Sequence, residues 1–486
     1  MEDGMLELMI HLNSDSGKPL YEQIYDYIRR NIVDGKISCG EKLPSTRLLA
    51  AYLQVSRSTA KTAYEQLVSE GYIEARRGSG YYVCDISDLY FNRRQKGQTK
   101  QKAKILDRKE PALQYRIDFS PEENEFLHFP YNAWRKISKE ILSANDPQLF
   151  RAGEAAGEWE LRRAVCDYLY HARGVKCRPA QMVIGAGNEY LLILLVQILG
   201  RGIKVAMENP TYLKAYQTLA NMGCEMVLAQ MDKSGICMEE IRAQETDVIY
   251  AMPSHQFPMG TVMPMKRRLE LLRWAAEKPG RYIIEDDHDS EFRYRGKPIP
   301  SLQGNDVNGN VIYLGTFSKS ISPSIRVSYM ILPEPLLDSY DANCAFYAST
   351  VPKEQQRALA AFLDQGYFER YLNKMRRIYK AKHDLFYSLL KKESWVRKVY
   401  GDHAGMHLLA ELKTSESAAF IVEAAKAKGV RVYDLKEYAI PGGDREMGIP
   451  TLLLGYGALG EQEMKTGLAC IREILEKGVN YGNMVL

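Results

Sequence analysis

The chain has few cysteines, no long apolar run and little net charge, and each absence excludes something. Eight cysteines are scattered over 486 residues. They form no CxxC pair and no Cys/His spacing suited to zinc, so no metal site is expected, and a reduced, cytoplasmic setting is. The opening "MEDGMLELMI" is acidic where a secretory leader is basic, which predicts no signal peptide. The longest apolar run, "YLLILLVQIL" at 190–199, is too short to span a bilayer and contains Gln197. It reads as a buried helix. The net charge of +4 is too small to imply a partner by itself. What remains is an ordinary soluble composition, 45% hydrophobic and 26% charged, over a length that calls for two or three domains. No internal repeat is visible.

After an N-terminal arm, 1–17, residues 18–84 read as one compact unit. Leu20, Ile24, Ile28 and Ile32 recur every fourth residue, on one face of a helix. Asp34-Gly35 and Cys39-Gly40 break the chain. Ser45 can cap a second helix carrying Leu48, Leu49 and Leu53. Ser56 can cap a third carrying Ala60, Ala63, Tyr64, Leu67 and Val68, which Gly71 ends. "YIEARRGSGYYV" then supplies two short β-runs around a glycine-rich turn, a hairpin. Residues 85–114 are polar and basic, with Arg93, Arg94, Lys96, Lys100, Lys102 and Lys104, and read as a solvated linker.

From 115 to 486, strand-like runs alternate with helical ones. "KVAMENP", "DVIYAMPS", "RYIIEDD" and "VIYLGTF" are short apolar strands ending in polar residues. The alternation predicts an α/β fold with a mostly parallel sheet, whose ligands bind beyond the carboxyl ends of its strands. Glu208-Asn209, Ser254-His255, Glu285-Asp286-Asp287 and Ser318-Lys319 all sit at such ends and are expected to converge on one crevice.

Three helices and a glycine-tipped hairpin suggest a winged helix-turn-helix. Ser56, Arg57, Ser58, Thr59 and Lys61 stand at the start of the third helix, the part that enters a major groove. Short hydroxyls at a helix N-terminus suit phosphate oxygens, and Arg57 can reach a guanine edge. Taken singly, each is better explained as a solvated side chain. Together, "GEKLPSTRLLAAYLQVSRSTAKTAYEQLVSEGYI" resembles the GntR family of bacterial regulators. The resemblance implies contacts with double-stranded DNA through Ser45, Arg47, Ser56, Arg57, Ser58, Thr59, Lys61 and the wing residues Arg77 and Gly78.

The strand ends contain what a pyridoxal 5'-phosphate site needs: a lysine for the Schiff base, an acid for the pyridine nitrogen, donors for the phosphate and a flat group over the ring. Lys319 can be the lysine and Asp286 the acid, with Asp287 and Glu285 as alternatives by position. "GAGNEYLL" offers Gly185, Gly187 and Asn188 at a helix start, where backbone N–H groups bind anions. Thr316 and Arg326 can add a hydroxyl and a charge, and Tyr212 can stack on the ring.

"PSHQFPMG", "IIEDDHDSEFRY" and "YLGTFSKSISPSIRVSYMILP" resemble fold-type I aminotransferases. Joined to a GntR-like unit, they resemble the MocR/GabR subfamily of transcriptional regulators over essentially the whole chain. That resemblance implies a fold-type I domain with a smaller C-terminal α/β subdomain, and a head-to-tail homodimer. It implies cofactor attachment at Lys319, the pyridine nitrogen at Asp286, ring stacking at Tyr212 and the phosphate at Arg326. The expected function is a DNA-binding regulator sensing an amine, an amino acid or the cofactor itself, with a working aminotransferase as the alternative. Four positions depart from aminotransferase or family patterns. His288 stands where a tyrosine usually bonds the cofactor's phenolic oxygen. Phe257 replaces the aminotransferase asparagine, a change that MocR-like proteins share. Lys214 replaces an effector-binding arginine, and Leu453 fills the place of a carboxylate-binding arginine.

Overall fold

The computed structural model describes residues 8, 10–13, 17–86, 115–294, 299–441 and 448–482, with side chains of the last helix to Glu476. The chain divides into two units, Met1–Ala112 and Leu113–Leu486. Nearly all of the expected basic linker and most of the N-terminal arm lie outside the described residues.

In the first unit, α1 (Leu20–Val33), α2 (Thr46–Tyr52) and α3 (Arg57–Ser69) precede a hairpin of β2 (Ile73–Arg76) and β3 (Gly80–Val83). A short β1 (Lys42–Leu43) joins its edge, giving an antiparallel order β1-β3-β2. Ile24, Ile28 and Ile32 of α1 meet Ala60, Ala63, Tyr64 and Leu67 of α3 in one core. Each isoleucine contributes roughly 2 kcal/mol by burial. Ser45 and Ser56 cap as expected, accepting from the N–H of Leu48 at 3.2 Å and Thr59 at 3.1 Å. Leu48 and Val68 do not join the core; they are 40% and 36% exposed. Adjacent helical residues are about 100° apart, so in a two-turn helix Leu49 faces inward and Leu48 outward.

The second unit is built on β5 (Met182–Gly185), β6 (Lys204–Asn209), β7 (Glu225–Asp232), β8 (Gly235–Ile236), β9 (Val248–Ala251), β10 (Tyr282–Asp287), β11 (Val311–Thr316) and β12 (Ser328–Ile331), after a short β4 (Ile117–Asp118). The order is β5-β12-β11-β10-β9-β6-β7-β8. The pairings from β11 through to β7 are parallel, while β12 runs antiparallel to both neighbours. The central strands are buried on both faces and so read as continuous apolar runs. Ile312 and Leu314 pack under the buried helix Asn188–Leu199, and Val311 packs with Trp274 on the other face.

A smaller subdomain follows the long helix Tyr367–Lys392. Its antiparallel sheet, β13-β14-β17-β16, uses β13 (Val396–Tyr400), β14 (His407–Leu412), β16 (Tyr433–Asp434) and β17 (Thr451–Gly455), and β15 (Val430–Arg431) pairs with β4. Among the described residues no helix is long and apolar enough to cross a membrane.

Candidate functional site

A cavity of about 1200 Å³ opens where the parallel strands end, lined by Lys319, Asp286, His288, Tyr212, Lys214, Gly187, Asn188, Thr316 and Arg326 among others. β11 delivers the lysine. Thr316 ends that strand, and its hydroxyl accepts from the N–H of Ser318 at 3.1 Å, opening the helical turn Phe317–Ser320. Lys319 Nζ donates to the Pro121 carbonyl at 2.6 Å. Burial pulls its amine below the usual lysine range, toward the neutral form in which it is a nucleophile.

Side chains alternate along a strand, so β10 sorts its three acids between two faces. Glu285 accepts from the N–H groups of Leu302 at 2.7 Å and Gln303 at 2.8 Å. Asp287 accepts from Arg173 Nε at 2.8 Å and from Ser290 Oγ at 2.9 Å. Both are structural. Only Asp286 reaches the cavity, where it accepts from the Tyr250 hydroxyl and stands 3.5 Å from Asn188 Nδ2. Burial pushes its carboxyl above the usual aspartate value.

At the other end of the cavity, Gly187 opens the helix Asn188–Leu199 with φ of +108°. Arg326 has a left-handed backbone, φ +48°, and its guanidinium donates to the Ala186 carbonyl and to Glu189 Oε2, both at 3.1 Å. A Cβ on Gly187 would collide with that guanidinium. Asn188 Oδ1 is buried without a hydrogen-bond partner among the described residues. Thr316 Oγ1 accepts from Ser328 Oγ at 2.9 Å and is already engaged inside the protein.

Tyr212 begins the helix Leu213–Asn221, with its hydroxyl 3.4 Å from Glu189 Oε1 and its ring edge-on to Phe257 at 6.2 Å. Lys214 Nζ stands 3.0 Å from each carboxylate oxygen of Glu122. His288 Nε2 lies 3.5 Å from Asp289 Oδ1, and the other oxygen of Asp289 holds His255 Nδ1 at 2.8 Å. His407, also on the cavity wall, sits beside His255, and burial lowers its imidazole to about 3.

In the first unit, Arg47, Ser56, Arg57, Ser58 and Lys61 are exposed, and Thr59 is half-buried. The hydroxyls gather at the α3 N-terminus, with Ser56 Oγ 2.6 Å from Ser58 Oγ and 2.8 Å from Thr59 Oγ1. Lys61 pairs with Glu65 at 3.4 Å. On the wing, Arg77 and Gly78 (φ +76°) form the exposed turn. Arg76 is held back by Glu74 at 2.6 Å and lies over the Tyr82 ring.

Residues 20–83 match the family of bacterial regulatory proteins, gntR family, and residues 117–445 match aminotransferase class I and II. The chain is 37% identical to the uncharacterized HTH-type transcriptional regulator YdeL of Bacillus subtilis (strain 168), over 95% of this chain and 98% of that one. It is 32% identical to the probable rhizopine catabolism regulatory protein MocR of Rhizobium meliloti, over 96% of this chain and 95% of the relative. This chain belongs to the MocR-type regulators of the GntR family. Its second unit has the fold of the aminotransferases: an archaeal alanine:glyoxylate aminotransferase superposes with a TM-score of 0.67 at 24% identity, over 74% of this chain and 91% of that one.

Several expectations for this MocR-type chain need correction. Of the four strand-end groups, only Asp286, Ser318 and Lys319 line the cavity. Glu208 is buried, its carboxyl raised to about 7 by desolvation. Asn209 instead holds the backbone of Ile440 at 2.9 Å and 3.2 Å, and Ser254 bonds Arg173. Gly185 does not reach the cavity either. A Cβ there would meet Tyr190 and Leu191 at 2.7 Å, so its smallness serves packing. Leu453 lies buried in β17 against Leu409 and Leu435. Sequence reasoning missed Tyr250, Glu189 and Glu122. Tyr250 carried a signal: a lone hydroxyl on an apolar strand, opposite Ile284 and so in phase with Asp286.

Proposed function

We propose that this transcriptional regulator holds pyridoxal 5'-phosphate in the cavity and uses it to sense a small amine or amino acid, while α3 and the wing engage promoter DNA. The observation that carries this reading is the convergence of Lys319, Asp286 and the Gly187–Arg326 corner on one cavity. The residues suit the group. The positive-φ glycine leaves the space that the Arg326 guanidinium occupies and a Cβ would take, and the Asn188 amide, whose Oδ1 is buried and unpartnered among the described residues, can turn either its N–H or its oxygen to a ligand. Lys319, Asp286, Tyr212, Gly187, Asn188 and Arg326 would hold the cofactor, with His288 toward its ring substituents and Thr316 in support.

When bound, the cofactor supplies an aldehyde reactive toward primary amines and an electron-withdrawing ring. The protein's own contributions are separable. Asp286 holds a proton at the ring nitrogen, Arg326 and the helix N-terminus balance the phosphate, and Tyr212 excludes water from one face. Lys319, whose amine burial shifts toward the neutral form, would be the group that an effector's amine replaces. An effector shifts DNA binding only by as much as it favours one arrangement of the protein over another. A head-to-tail dimer, as the MocR/GabR resemblance implies, would carry two DNA-reading heads.

The test is the visible absorbance of full-length protein with added cofactor, before and after borohydride. Wild type should show a visible band that borohydride bleaches while fixing the cofactor covalently to the protein, and Lys319→Ala should lose that fixation. A Lys319→Ala protein that behaves as wild type would overturn the reading.

A further inference from the structure

The cavity's charges are unevenly matched. Among the described residues, its walls carry six carboxylates, Glu122, Glu123, Glu189, Asp286, Asp289 and Glu354, against three cationic side chains, Lys214, Lys319 and Arg326. All three cations are committed. Arg326 pairs with Glu189 at 3.1 Å in the corner assigned to the phosphate. Lys319 is the attachment point. Lys214, at the position that the resemblance gives to an effector's carboxylate, is matched by both oxygens of Glu122 at 3.0 Å. An incoming carboxylate would compete with Glu122 for that ammonium and would meet the remaining acids. The cofactor's phosphate adds further negative charge.

Carboxylates are also in surplus. Among the described residues, no cation pairs with Glu123 or Glu354, both exposed on the cavity wall. Phe129 and Trp134 also line the cavity. Aromatic rings and unpaired carboxylates lining one cavity are the chemistry that receives an alkylammonium group. A cavity of about 1200 Å³ exceeds the usual range for one small ligand, so there is room for an effector beyond the cofactor.

We infer that the effector of this pocket is a diamine or polyamine: a primary amine that reaches Lys319's position, with a second cation at its far end in place of a carboxylate. This rests on the cofactor reading above. One amine takes the place of Lys319, and the distal ammonium lies among Glu123, Glu354 and the aromatic wall. The Glu122–Lys214 pair acts as a filter, since it cancels the charge on which an amino acid would depend.

The experiment titrates full-length protein, loaded with cofactor, with 1,4-diaminobutane, 4-aminobutanoate and butylamine, following the cofactor's visible spectrum. The diamine should act at concentrations lower by about tenfold or more than either of the others. Glu122→Gln, which frees Lys214, should move 4-aminobutanoate toward the diamine by up to about fivefold, the scale of a half-exposed ion pair. The paired substitution Glu123→Gln, Glu354→Gln, at exposed positions, should reduce the diamine to the level of butylamine. Equal potency of butylamine and the diamine would overturn the distal-cation site. A preference for 4-aminobutanoate in wild type, or an unchanged ratio in Glu122→Gln, would overturn the filter. Failure of the cofactor to produce any band would instead defeat the cofactor reading, and this inference with it.

Discussion

Replacing Tyr250 with phenylalanine removes one oxygen from a side chain that is 1% exposed and leaves its ring packed against Met252 and Ile284. What is lost is the hydroxyl donor to Asp286 Oδ2. A hydrogen bond to a charged partner contributes roughly 1.5–3 kcal/mol, and about 1.4 kcal/mol is a tenfold change in affinity. Cofactor affinity should therefore fall by about ten- to a hundredfold, with little loss of fold. The pH dependence should move as well. Burial already raises the Asp286 carboxyl, and losing the donor raises it further. On the proposed assignment cofactor binding uses the ionised carboxylate, so it should weaken as pH falls, and in Tyr250→Phe that weakening should begin at a higher pH. The empty protein has the opposite sign: a raised folded value adds stability below the ordinary aspartate range and loses it as pH rises through the raised one. The assay is an equilibrium titration of cofactor into apo-protein at a series of pH values. A Tyr250→Phe protein that follows wild type at every pH would refute the role given to this bond. Wild-type affinity in Asp286→Asn would refute the ring-nitrogen assignment itself.

Two further outcomes follow from the geometry. Gly187→Ala places a side chain in a backbone region that costs roughly 1–3 kcal/mol for any residue but glycine, and pushes on the Arg326 guanidinium. Calorimetry should show a lower melting temperature and a smaller stabilisation by cofactor than in wild type. Ser56→Ala removes the α3 cap and should cost the first unit about 1 kcal/mol, read as an earlier denaturant transition and weaker DNA binding, whereas an unchanged transition would count against the cap.

The parts legible in the sequence were those with a period or a local motif. The every-fourth isoleucines of α1, the capping serines and the hairpin needed only neighbours within a few residues. β6, β9, β10 and β11 announced themselves as apolar runs with polar ends. Lys319, Asp286 and Tyr212 followed from the resemblance and meet in one cavity. The hidden parts depend on partners far apart in the chain. Nothing near Glu122 pointed to Lys214, 92 residues away. Asp287 and Asp286 are neighbours in sequence, yet Arg173 claims one and the cavity the other, because the pleat of β10 turns them to opposite faces. Leu48 and Val68 failed for a related reason: an apolar residue at the border of a helix's inner face is decided by what packs opposite it.

The antiparallel strand β12 carries a consequence for assembly. Ser328 pairs with Gly185 on one side and Thr316 on the other, so the glycine turn after β5 and the Thr316 end of β11 are neighbours only across a strand that is synthesised after both. Pairing of this kind, over more than a hundred residues of chain, is a slow and late event in folding. Until β12 docks, Arg326 has no glycine corner to occupy. A ligand that binds only the finished corner stabilises the finished sheet by mass action. Growth conditions that deplete the cofactor should therefore lower the amount of intact regulator as well as its occupancy, linking the cell's vitamin supply to the lifetime of the protein.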